Sequence, residues 1–115
     1  MYDSLEDLRD AVDAAGGVLT VDMWAVRDAH GAGRLGIHVR TNITKKLRSL
    51  GLDHYPDELP GWQEEQVRVY RQGSPVADLI DAVLNPSDTH DEEIRQAVLG
   101  EAQATLDAIR ELVCA

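Results

Sequence analysis

The chain has 115 residues and a formal net charge of −10 at pH 7, a length suited to one domain with a sizeable core. Its single cysteine, Cys114, excludes an intramolecular disulfide and a cysteine-rich zinc site. The acidic start of the chain does not resemble a secretory signal, and no apolar run approaches the roughly 20 residues of a membrane span. We therefore expect a cytoplasmic protein without membrane contact.

The first predicted element is a helix that begins after Ser4, a residue type that caps helix N-termini well. Apolar residues recur along it at helical spacing, namely Leu5, Leu8, Val12 and Ala15. The pair Gly16–Gly17 is expected to end it.

A short strand and a second helix are predicted next. The apolar run Val18–Thr20 is long enough only for a two- or three-residue strand. Thr20 is suited to cap the following helix, with Leu19 packed on Trp24 as a hydrophobic staple. We expect this helix to run to about Ala29 and to bury Trp24 in the core.

The third helix, predicted from about Gly36 to Leu50, combines an apolar stripe with concentrated positive charge. Val39, Ile43, Leu47 and Leu50 form the stripe, and Gly51 is placed to end the helix in a left-handed conformation. Between residues 34 and 52 there are five Lys or Arg and no Asp or Glu.

The polar side of this helix is the candidate nucleic-acid-binding surface, because phosphate backbones require positive charge. Its members are Arg34, Arg40, Thr41, Thr44, Lys45 and Arg48. Two other interpretations remain open: a solvated helix face that attracts acidic segments of its own chain, and a face that binds an acidic protein.

A second strand signal follows a polar loop. Gln66–Arg71 alternates with a period of two, and its partner is expected to be Leu52–Tyr55 or Val18–Thr20. In the preceding loop, Trp62 either packs the loop onto the body, which we favour, or anchors a partner.

Two helices are predicted at the C-terminal end. Ser74 and Pro75 begin the first, whose expected buried side is Val76, Leu79, Ile80 and Val83, and Asn85–Pro86 ends it. The second starts at Ser87 or Asp88 and extends to about Val113, longer than a small body readily covers. We expect it to form a homodimer, and the predicted interface residues are Ile94, Val98, Ile109 and Leu112 on this helix, with Trp62 as a further partner contact.

No catalytic or metal-binding constellation is visible in the sequence. The four histidines lack metal-ligand spacing, and Ser74 has no nucleophile-elbow sequence around it. We expect a non-enzymatic protein without a cofactor.

The predicted order of elements resembles the winged helix-turn-helix superfamily over residues Ser4 to Arg71. The resemblance implies that the third helix is a recognition helix in the major groove and that Pro56 to Glu65 form a wing. Two features depart from the family pattern: the connection from Ala29 to Gly36 is long and glycine-rich, and the wing is acidic.

We therefore predict a helix-rich α+β fold with a small antiparallel sheet. Residues 1–75 would form a winged-helix-like domain, and residues 76–115 a helical extension that packs on it or dimerises. The leading functional hypothesis is a dimeric DNA-binding protein that acts as a transcriptional regulator. The alternative is a non-catalytic adaptor whose acidic surface binds a protein partner.

Overall fold

The computed structural model describes residues 2–114, except for the side chains of residues 101, 102, 105, 113 and 114. The fold is α+β and rich in helix, as predicted. Its elements are α1 (Leu5–Ala14), β1 (Val18–Asp22), α2 (Met23–His30), α3 (Ile37–Ser49), β2 (Leu52–Tyr55), β3 (Gln66–Arg71), α4 (Pro75–Leu84) and α5 (Asp88–Cys114). The chain divides into two units, Met1–Ala77 and Asp78–Ala115.

The three strands of the first unit form an antiparallel sheet in the order β1-β3-β2. The predicted strand Gln66–Arg71 is confirmed, and both of the partners considered for it pair with it, one on each edge. Val67 and Val69 point into the core, whereas Arg68 is exposed on the opposite face. The period of two in the sequence thus identified the central strand and its buried side.

The predicted start of α2 is wrong. Thr20 does not cap the helix, because it pairs with Arg68 inside β1, which continues to Asp22. The Leu19–Trp24 staple is excluded for the same reason, since Leu19 is a strand residue. Instead, the amides of Met23 and Trp24 donate to the distant carbonyls of Glu65 (2.8 Å) and Gln63 (3.0 Å).

Other predicted helix boundaries are confirmed. The Ser4 hydroxyl accepts a hydrogen bond from the Asp7 amide at 3.1 Å and so caps α1. Gly51 follows α3 with φ +79°, a conformation that a side chain would strain. The apolar stripe of α1 is one residue shorter than predicted, because Ala15 lies beyond the last turn and is exposed.

The core of the first unit lies between one face of the sheet and the three helices α1, α2 and α3. Its largest fully buried side chains are Leu8, Val12, Met23, Val26, Ile43, Leu47, Leu52, Val67 and Val69. Trp24 is not among them: it is half-buried, and the expectation that it belongs to the core is wrong. With the helix beginning at Met23, the inward positions fall on Met23, Val26 and Ala29.

The last two helices begin at the capping residues that the sequence predicted. The Ser74 hydroxyl accepts from the Ala77 amide (3.1 Å), and the Ser87 hydroxyl accepts from the His90 amide (3.0 Å).

The predicted buried side of α4 is only partly correct. Leu79 and Val83 are exposed and Val76 and Ile80 are half-buried, while the neighbouring Ala82 is buried. In the part of the chain that the structure describes, no helix is both long enough and apolar enough to cross a membrane.

Candidate nucleic-acid interface

Helix α3 is fixed by its apolar stripe, as the sequence predicted. Ile43 and Leu47 are fully buried, and Val39 and Leu50 pack against the core from its edge. Burial of this stripe turns the opposite side of α3 toward solvent.

The outer face of α3, defined here as His38, Thr41, Asn42, Lys45 and Ser49, is exposed along the whole helix. Thr41 and Lys45 were predicted for this surface. His38, Asn42 and Ser49 were missed, although steps of three or four residues link them to Thr41 and Lys45 and so place them on the same side. Extending the helical periodicity to the uncharged positions would have found them.

The remaining predicted residues surround this face. Arg34 precedes the helix and is exposed, and Arg48 is exposed on its flank. Arg40 and Thr44 are half-buried and face other parts of the first unit. Four of the six predicted residues are therefore exposed to solvent, namely Arg34, Thr41, Lys45 and Arg48.

Acidic residues of the same unit partly neutralise the flanks of α3. Arg48 lies 3.5 Å from an Asp53 carboxylate oxygen through Nε and 3.7 Å from Asp57 through Nη2. Lys46 Nζ lies 3.1 Å from Glu6 Oε1. The pKa of Glu6 lies below its ordinary value of 4.5. A hydrogen bond from a backbone N–H makes the largest contribution to this lowering, and Lys46 makes the next largest. Because exposed ion pairs of this kind contribute little, a ligand anion can compete for these cations.

Arg40 fastens the loop of residues 56–65 to α3. Its Nη1 donates to the Leu59 carbonyl at 3.1 Å, and its guanidinium lies beneath Gly61. Its Nε is buried without a hydrogen-bond partner among the residues that the structure describes. The predicted DNA-contact residue Arg40 thus points toward the loop and away from the outer face.

The start of the same loop is attached to α3 through a buried histidine. His54 is 3% exposed, with Nδ1 2.7 Å from the Pro56 carbonyl and Nε2 2.8 Å from the Thr44 hydroxyl. A carbonyl can only accept, so Nδ1 carries the proton toward Pro56. In the neutral ring Nε2 must then accept from the Thr44 hydroxyl, which makes Thr44 an internal hydrogen-bond donor.

Two surface grooves border this loop. One, of about 260 Å³, lies between α3 and the loop and includes Asp57 and Glu58 in its lining, so it is poorly suited to phosphate. The other is lined by Arg34, Leu35 and Trp62, among other residues. Trp62 is 71% exposed, so the interpretation that it packs the loop onto the body is wrong. The buried Leu59 and the Arg40 hydrogen bond hold the loop instead.

The predicted dimer residues of α5 belong to the second unit. Val98 is 65%, Ile109 51% and Leu112 85% exposed, and Ile94 is half-buried.

Within residues 2–114, the described His, Cys, Asp and Glu side chains form no group of three that could hold a metal ion. Comparisons with protein-family models, with curated proteins and with solved structures give no match to this chain.

Proposed function

We propose that this protein binds duplex DNA through the outer face of α3. The observation that carries the proposal is an exposed polar helix face, which includes Lys45, on a helix that contains no acidic residue. The opposite side of the same helix is anchored in the core, so the face is rigidly presented.

The order of the elements supports a winged-helix-like body for this function. Three helices and three strands follow one another in the order that the resemblance implies, and the sheet has the order β1-β3-β2. On this proposal the third helix would be the recognition helix, and the loop of residues 56–65 would be the wing.

The outer face of α3 and its flanks carry side chains that can contact phosphates and a side chain that can contact a base. Lys45 and Arg34 would neutralise phosphates, and Arg48 would exchange its exposed carboxylate partners for a phosphate. Asn42 projects beside Lys45 and carries the amide that pairs with adenine in the major groove. The acidic residues of the wing-like loop would keep that loop away from the phosphate backbone.

Fluorescence anisotropy with random-sequence duplex DNA tests this proposal. Lys45→Glu should weaken binding and reduce the slope of log K against log salt by roughly one or two units, since each lost phosphate contact removes about 0.9 from that slope. Arg68→Glu is the matched control, because it makes the same change in charge on the exposed face of the sheet. The proposal requires that this control leave affinity and slope close to those of the unmodified chain.

An adaptor that binds a protein partner is the second candidate function. It is favoured by the exposure of two large apolar side chains, Trp62 at 71% and Ile37 at 67%, since such residues are frequent anchors of interfaces. Electrostatic association is strong at about 50 mM salt. If no DNA binding is detected under that condition, the adaptor replaces DNA binding as the proposed function.

A further inference from the structure

The second unit exposes most of the large apolar side chains found on the protein surface. Eight of the eleven exposed large hydrophobic residues among the described side chains lie between Asp78 and Ala115. Ala82 is the one hydrophobic residue described as buried there. Units of fewer than about 40 residues usually need a disulfide, a metal or association to be stable. The described part of this unit has neither a metal-binding cluster nor a core of its own.

Three of the exposed apolar residues of α5 fall into a regular seam. Leu99 and Leu106 are separated by seven residues, and Ile109 follows three later; their exposures are 60%, 49% and 51%. In the sequence the alternation of three and four continues through Ala102 and Val113, whose side chains lie outside the description. Alternating steps of three and four are the a and d positions of a coiled coil. The stripe predicted from the sequence shares Ile109 with this seam, whereas its other members, Ile94, Val98 and Leu112, lie beside it.

Most charged side chains of α5 between residues 99 and 113 lie away from the seam, so an identical helix can pack against it. Asp107 and Glu111 fall on the outward heptad positions, away from the seam. Of the flanking positions next to the seam, Arg110 carries a charge, and it lies 3.8 Å from Asp107 of its own helix. The neighbouring Gln103 donates to the same carboxylate at 2.8 Å. Within residues 99–113, two paired seams therefore bring no like-charged side chains together, despite the net charge of the chain.

We propose that the seam of Leu99, Leu106 and Ile109 binds the same seam of a second copy of this chain, forming a dimer through paired α5 helices. The pairing removes from water the apolar surface that each copy leaves exposed. It concerns the second unit alone and does not depend on whether the first unit binds DNA.

Sedimentation equilibrium on the full chain, from about 1 to 100 µM, tests this pairing. The unmodified chain should approach twice its mass of 12.7 kDa. Leu106→Glu combined with Ile109→Glu should weaken the dimer at least about a hundredfold, because each change places an unpaired charge inside the seam. Ala104→Glu combined with Ala108→Glu is the matched control: it adds the same two charges on the exposed, outward side of α5 and should leave the dimer intact.

Far-UV circular dichroism identifies any seam variant that fails to fold, and the neutral change Leu106→Gln then replaces the double variant. Loss of the dimer in the seam variants and its retention in the control support the proposal. A chain that is monomeric at 100 µM, or a dimer that survives the seam substitutions, overturns it.

Discussion

The hydrogen bond from Thr44 to His54 provides a sharp test of how the loop is attached to α3. Thr44→Val keeps the shape of the side chain but removes the hydroxyl that lies 2.8 Å from Nε2 of a histidine that is 3% exposed. A buried acceptor left without a donor costs about 1–3 kcal/mol of unfolding free energy. For a body of this size the melting temperature should fall by about 4–8 °C for each kcal/mol lost. Urea unfolding followed by tryptophan fluorescence and circular dichroism measures the change.

Thr41→Val is the matched control on the same helix. The Thr41 hydroxyl donates to the Ile37 carbonyl at 2.9 Å on an exposed face, so its removal should change stability by no more than about 0.5 kcal/mol. Thr44→Ser, which restores a hydroxyl, should recover most of the loss. Equal effects of the two valine substitutions would refute the assignment of Thr44 as the donor to a buried nitrogen.

Two further predictions concern the charges beside α3. Asp57→Asn should strengthen DNA binding, by about threefold to tenfold at low salt, because it removes one of the two carboxylates that pair with Arg48 and takes a negative charge from the phosphate path; unchanged or weaker anisotropy binding would contradict this. Lys46→Met should raise the pKa of Glu6 part of the way toward 4.5, since the backbone N–H that lowers it most remains, and carboxyl NMR titration measures the shift. A carboxylate whose pKa is lower in the folded state than in the unfolded state stabilises the protein at pH values above the unfolded-state pKa. This stabilisation is lost as the pH falls through the lowered pKa. The unmodified chain should therefore lose more stability than the variant as the pH is lowered below 4.5.

Local signals in the sequence were sufficient for much of the fold. Ser4, Ser74 and Ser87 cap helices through their own hydroxyl groups, so their roles depend only on residues three positions away. The alternation of Val67 and Val69 similarly identified the central strand. The buried stripe of α3 was also predictable, because Ile43 and Leu47 repeat at helical spacing.

The errors share a non-local cause. Thr20 has the chemistry of a cap, but pairing with β3, almost 50 residues later, draws it into a strand. Arg40 has the charge of a DNA contact, but the Leu59 carbonyl holds it against the loop. Neither partner is close in sequence, and no periodicity signals such a pairing. The same limit applies to Trp62, which is exposed while Leu59 of the same loop is buried.

The capping of α2 by the loop has a consequence for the order of folding. The side chain of Asp22 makes no capping hydrogen bond, and the first two amides of the helix rely on Gln63 and Glu65. Helix α2 therefore gains its capping hydrogen bonds only after the chain has closed a long segment and brought residues 63–65 beside it. Because long-range contacts form slowly, the first turn of α2 should become stable together with the sheet, whereas the cap of α1, supplied by its own Ser4, needs no such closure.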